Sequence, residues 1–379
     1  MTNKESAGHG LNGRKMNRSK LAQHIRGLRT LSPHAVMTGA QDVQPTTSLD
    51  PFLFIVGKGR SGTTLLRAMF DSHPDMAIPP ESHFIIPLAY RRRQYEQAGR
   101  FDVESFVEDL AYTGFANWGV SRPIALNWLR DARPQGYEEA VRAVFALYAR
   151  NLGKSRYGEK TPVNVRYISP LGALFPEAVF IHLVRDGRDV TVSSLRAPFG
   201  PSTLPEAAIY WRLAVENGRR AGATLGPRRY LEVSYETLVS EPESTIRQLC
   251  GFAQLEFDPS MLRYYERAGQ VTRGDPLPQV HENLHRPPIA NIRNWRTDMG
   301  QADALIFEAL AGRTLEQFGY ERVCASIPWH VRVEAAIAWA RVQTLRAIRR
   351  VRKILRFRAS GMMHTWCTGA IVRAIACRD

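Results

Sequence analysis

Cysteine is scarce in this chain: four in 379 residues, at Cys250, Cys324, Cys367 and Cys377. None sits in a C-x-x-C pair or at zinc-finger spacing, so nothing supports a metal site, and a reducing compartment is the simpler expectation. Long apolar runs are missing as well. No stretch of about 18 uncharged apolar residues occurs, and the polar, basic first 50 residues contain no apolar run of signal-peptide length. Both absences lead to the expectation of a cytoplasmic protein. Acidic residues are in deficit, 36 against 51 Lys and Arg, which leaves a net charge of +15. The excess is local. Residues 328–379 hold nine units (eleven Lys and Arg less Glu334 and Asp379), residues 1–50 hold four (seven less three), and the middle keeps two. Basicity therefore belongs to the tails, and no nucleic-acid partner is expected for the body. No internal repeat is present.

With 44% hydrophobic and 23% charged residues, the chain has the composition of an ordinary folded domain. Residues 57–64 read Gly-Lys-Gly-Arg-Ser-Gly-Thr-Thr. They follow the apolar run Phe52–Val56, which suits a buried strand, and precede Leu65–Phe70, which has helical character. Strand, glycine loop and helix in that order form a phosphate-binding turn: Gly57, Gly59 and Gly62 allow tight turns, and successive N–H groups with the positive helix end face an anion. Thr63 stands where the ATP- and GTP-binding loop requires lysine. Without that charge the terminal phosphate of a nucleoside triphosphate is poorly held, so the loop suits a smaller or less charged anion.

The segment Arg60-Ser-Gly-Thr-Thr-Leu65 resembles the 5′-phosphosulfate loop of sulfotransferases that use 3′-phosphoadenosine 5′-phosphosulfate (PAPS). A second segment, Phe180–Leu195, resembles that family's 3′-phosphate-binding strand and helix, with Arg185 and Ser193 at the matching positions. Two more, Asp71–Phe84 and Gly158-Glu-Lys-Thr-Pro162, are nearest in pattern to the tyrosylprotein and related bacterial sulfotransferases. The resemblance covers about residues 51 to 320. It implies an α/β fold of P-loop-like, three-layer type, with a central parallel sheet flanked by helices, and an in-line transfer of a sulfuryl group from PAPS to a hydroxyl or amine acceptor. It further implies a donor site made of Arg60, Ser61, Gly62, Thr63, Thr64, Arg185 and Ser193, with Tyr235 and Arg296 as added contacts. A glutamate matching Glu81 would be the general base, and a lysine matching Lys160 would steady the transferring group. No metal is required by this scheme.

Local reasoning leaves several roles open. His83, two residues from Glu81, is a second candidate base. His182, inside an apolar run, reads as a core histidine with a satisfied hydrogen bond. Glu159 beside Lys160 reads as an ion pair. Arg296 is either a nucleotide contact or an arginine stacked on Trp295, and Tyr235 either binds or only packs at the end of its strand. An atypical P-loop kinase or NTPase is the first rival function, and a non-enzymatic anion- or nucleic-acid-binding protein the second. The acceptor class is open: carbohydrate, lipid, phenol or peptide tyrosine.

Along the chain, residues 1–50 read as a disordered basic segment with a short helix near Leu21–Leu28, residues 51–327 as the catalytic domain, and residues 328–379 as a basic amphipathic helical tail. Sheet strands are expected at Phe52–Val56, Val179–Val184 and Arg229–Val233, and helices at Phe101–Leu110, Tyr137–Leu152 and Pro205–Gly222. In the tail, Val331, Ala335, Ala338, Val342, Leu345, Ile348, Val351 and Leu355 form one apolar stripe among arginines. Two readings stay open for it: peripheral attachment to an anionic membrane face, or packing on the domain or on a second copy.

Overall fold

The computed structural model describes residues 50–97, 99–198, 200–271, 283–288 and 294–359. The expectations for residues 1–49 and for the end of the tail lie outside them. Strand β1 (Leu53–Gly57) leads through the glycine loop into helix α1 (Thr63–Asp71). A short strand, β2 (Met76–Ala77), follows, and then a helical insert containing α2 (Val103–Leu110), α3 (Arg122–Ala132) and α4 (Tyr137–Asn151). The chain returns to the sheet in β3 (Arg156–Lys160) and β4 (Val179–Val184), which opens into α5 (Gly187–Leu195). The long α6 (Leu204–Leu225) crosses over to β5 (Tyr230–Ser234); α7 (Pro242–Phe252), α8 (Gln301–Gln317) and α9 (Trp329–Ala359) complete the described chain.

The sheet order is β2-β3-β1-β4-β5 and every pairing is parallel. Leu53 faces both Gly158 of β3 and Val179 of β4, so β1 runs down the middle. The strand is buried on both sides, and its period-2 alternation divides the core. Phe52, Phe54 and Val56 pack with α2, α3 and α4, whereas Leu53 and Ile55 pack with α1 and α7. A third cluster joins Trp211 of α6, Phe307 of α8, and Ala335 and Val342 of α9. The molecule is thus the three-layer α/β arrangement that the resemblance implies. In such sheets ligands collect beyond the carboxyl ends of the strands where chain connections diverge, and here that point is the end of β1.

Three strands fall within one residue of their expected places. Strand β3 was not expected, because its sequence is Arg-Tyr-Gly-Glu-Lys and has no apolar run. It is nonetheless interior: Glu159 and Lys160 are 0% and 3% exposed, and both are satisfied by partners described below. Tyr235 does not end a strand. It is the first residue of a short helix, Tyr235–Ser240, capped by the Ser234 side chain, which accepts from the Thr237 N–H.

Candidate active site

The loop between β1 and α1 takes its shape from two left-handed residues, Arg60 (φ +78°) and Gly62 (φ +93°). A Cβ on Gly62 would lie 2.4 Å from the Tyr235 ring, so glycine serves both the backbone angle and the close approach. Gly62 caps α1 without any side-chain bond, leaving the first N–H groups of the helix directed at the loop. Ser61 Oγ is buried with no hydrogen-bond partner among the described residues. A buried donor of this kind is costly unless a ligand uses it.

Helix α5 meets the loop from the other side. Arg60 Nε donates to Ser193 Oγ at 3.0 Å across 133 residues of sequence, so the two motifs form one surface. Arg185 lies 4.3 Å above the Tyr235 ring and pairs with Asp189 at 3.2 Å. Burial pushes the Asp189 carboxyl up, against the pull of Arg185. Asp189 also accepts from the Trp295 N–H at 2.7 Å, which ties the Asn294–Asp298 turn to α5. Arg60, Ser61, Gly62, Thr63, Thr64, Arg185, Ser193 and Tyr235 therefore gather around one loop. Arg296 behaves differently: its exposed guanidinium stacks 4.6 Å from the Trp295 ring, on the surface.

On the β3 side, Lys160 Nζ donates to Glu81 Oε1 at 2.6 Å and lies 3.5 Å from Thr64 Oγ1. One buried ammonium thus touches both the candidate base and the phosphate loop. Burial alone would raise the Glu81 carboxyl, but the Lys160 charge and the His83 hydrogen bond outweigh it and bring it down to about 2. His83 Nε2 sits 3.0 Å from Glu81 Oε2 and is half exposed. Its bond to Glu81 raises its pKa against the effect of burial. His83 has φ +51°, a conformation that costs energy outside glycine and that aims the imidazole back at the carboxylate.

The backbone around Glu81 is fixed from three directions. Trp118 Nε1 donates to the Pro80 carbonyl at 2.9 Å. Gly114 comes so near that a Cβ there would lie 2.1 Å from the Glu81 carbonyl oxygen. Glu159 accepts from Ser82 Oγ at 2.8 Å, from Asn164 Nδ2 at 3.0 Å and from Thr161, whose own hydroxyl accepts from the Ser82 N–H. Glu159 is thus no ion pair with Lys160, as its place in the sequence suggests, but the buried anchor of the loop that carries Glu81. Burial raises its carboxyl in spite of those bonds. His182 is fully buried in β4 with Nδ1 2.6 Å from the Tyr230 hydroxyl, as a core histidine should be, although its Nε2 has no partner among the described residues.

Two further residues belong here that sequence reasoning missed. Burial and the charges of Arg166 and Arg60 push the Lys58 ammonium down to about 8. Lys58, Arg60, Arg166 and Lys160 therefore place several cations near one loop, and the repulsion felt by Lys58 marks a place that favours an anion. Arg166 follows β3 in the turn Pro162–Tyr167, eight residues beyond Gly158 and 106 beyond Arg60, a separation that hid the pairing in the sequence. The unpartnered Ser61 hydroxyl, the uncapped helix start and these cations fit a phosphosulfate group.

The profile of the sulfotransferase family matches residues 51–259. Protein-tyrosine sulfotransferase 2 of Gallus gallus is 28% identical over 252 residues, 65% of this chain and 62% of the relative. Protein-tyrosine sulfotransferase A of Caenorhabditis elegans is 25% identical over 244 residues, 63% of this chain and 59% of the relative. The chain thus spans about three fifths of these relatives' length. The solved sulfotransferase domain of the Synechococcus PCC 7002 olefin synthase superposes with a TM-score of 0.51 at 26% identity, over 74% of this chain and 99% of that domain. The matched residues run from β1 past Tyr235 and take in every donor-side position except Arg296. They cover more than half of the chain, which belongs to the sulfotransferase family.

Proposed function

We propose that this protein transfers a sulfuryl group from PAPS to a hydroxyl or amine acceptor, with Glu81 as general base. The observation that carries the reading is Lys160, whose ammonium lies between Glu81 Oε1 and Thr64 Oγ1. When bound, PAPS supplies an activated sulfuryl group whose bridging oxygen leaves with the adenosine bisphosphate. Ser61 and the N–H groups at the start of α1 would cradle the 5′ end of that donor, and Arg185 and Ser193 would hold its 3′-phosphate. Lys160 and Arg60 bring positive charge to the place where negative charge grows.

Glu81 is ionised at neutral pH, as a base must be. Its Oε1 is committed to buried Lys160. Among the described residues Oε2 is shared only with half-exposed His83, so it is the oxygen an acceptor hydroxyl reaches by displacing one imidazole contact, and it is where the proton goes. The names of the matched relatives make a peptide tyrosine the first acceptor to test. The assay is incubation with labelled PAPS and either a tyrosine peptide or a cell extract, with the labelled product identified. Transfer of label to a hydroxyl, abolished by Glu81→Gln, is expected. Label transfer from ATP in place of PAPS would overturn the reading in favour of a kinase.

A further inference from the structure

Helix α9 is 31 residues long, roughly 46 Å at the ordinary rise. Part of the stripe read from the sequence packs inward. Val331, Ala335 and Val342 are 7%, 4% and 7% exposed, Trp339 lies under Arg212, and Arg349 reaches the Tyr210 hydroxyl of α6. That packing accounts for the first half of the stripe and leaves Leu345 and Ile348 uncovered, while Val351 has drifted round to the other side of the helix.

The opposite side of the helix is apolar too. At 100° per residue, Trp329, Val333, Ile337, Ala340 and Val351 fall on one line facing away from Val331, Ala335 and Val342. Trp329 is 77% exposed, Ile337 65%, Val351 54% and Val333 49%. Between Trp329 and Ala359 the helix carries nine Lys or Arg and a single acid, Glu334. None of the described helices is both long and apolar enough to cross a membrane.

We propose that this outer face of α9 docks on an anionic lipid surface, lying in the headgroup plane with Trp329, Val333 and Ile337 inserted and arginines on its flanks. The charge distribution selects this occupant. A second copy would set a strongly cationic helix against its equal with one acid each to compensate, whereas anionic headgroups supply the counter-charge. A nucleic acid would need its cations on the outermost line, and between Trp329 and Val351 that line carries none.

The test is co-sedimentation of the full-length protein with vesicles of phosphatidylcholine containing 30% phosphatidylserine and with pure phosphatidylcholine vesicles. The double variant Val333→Glu/Ile337→Glu changes exposed positions only, and its circular dichroism and its affinity for adenosine 3′,5′-bisphosphate report whether the fold is intact. Expected are binding to the anionic vesicles alone and a fall of roughly tenfold or more in partitioning for the double variant, with fold and nucleotide affinity unchanged. Equal partitioning of wild type and variant would overturn the proposal and assign the attraction to basic residues elsewhere. No binding by the wild type would overturn it as well. A wild-type dimer in sedimentation velocity that the variant dissociates, without vesicle binding, would make the face a self-association surface.

Discussion

At the scale of single residues, Glu81 is held below the ordinary carboxylate range, so its own titration falls outside the working pH of an assay. Any limb in turnover between about pH 5 and 9 must then come from a neighbour, and His83 is in contact with the base oxygen. The groups acting on His83 are Glu81, Glu159 and Lys160. Its folded pKa is raised, so the stabilisation from its pairing is complete below the unfolded value and fades as pH rises through the folded one. The same deprotonation frees Glu81 Oε2. Turnover is therefore expected to rise through the His83 pKa, and His83→Asn, which tolerates the left-handed backbone, should remove that rise while leaving donor affinity unchanged. A pH–rate profile identical in the variant would sink the idea. Glu81→Gln should keep donor binding by calorimetry and lower turnover by roughly 10²–10⁴; full activity in that variant would exclude Glu81 as the base. Lys58, at about 8, is close to half neutral at pH 8. It should acylate faster there than surface lysines, and adenosine bisphosphate should slow it by restoring the charged form, as peptide mapping would reveal.

At the scale of elements, the glycine loop separates its glycines by role. Gly59 has open space around its absent Cβ and no left-handed angle, whereas Gly62 has φ +93° and the Tyr235 ring in the way. Gly59→Ala should be nearly neutral. Gly62→Ala should cost about 1–3 kcal/mol in chemical denaturation and weaken adenosine bisphosphate binding; equal effects from the two would contradict the loop geometry. Strands β1 and β4 were legible because burial on both faces leaves a hydrophobic run, whereas the partly buried edge strand β5 showed only through its short apolar positions. Strand β3 was not, since Glu159 and Lys160 hold their interior places through polar partners, of which Ser82, Glu81 and Thr64 lie far away in sequence. Motif resemblance pointed to Lys160, but Arg166 and Gly114 gave no local sign, because a cation or a glycine acquires meaning only from what the fold brings against it. For Arg296 both a nucleotide contact and a stack on Trp295 stood open, and the stack is the contact described. Of the tail stripe, Val331, Ala335 and Val342 are buried, while Val351 drifts to the other side, and periodicity does not tell which of two apolar sides a helix will bury.

For the whole molecule, the loop joins two distant motifs, and the 3′-phosphate side should discriminate among adenine nucleotides. Adenosine 3′,5′-bisphosphate is expected to bind roughly ten- to a hundredfold more tightly than AMP, with Arg185→Ala removing most of the difference in calorimetry. Equal affinities would remove Arg185 and Ser193 from the donor site. The position of β1 between β3 and β4 has a consequence for how such an enzyme can change. On the proposed assignment, the donor contacts Arg60, Arg185, Ser193 and Tyr235 come from β1 and the strands on one flank, whereas Glu81, His83, Glu159 and Lys160 come from the other. The helical insert, residues 84–155, is spliced entirely into that second flank. On that assignment, differences confined to the insert can arise without touching β1, β4 or β5, from which the proposed donor contacts come.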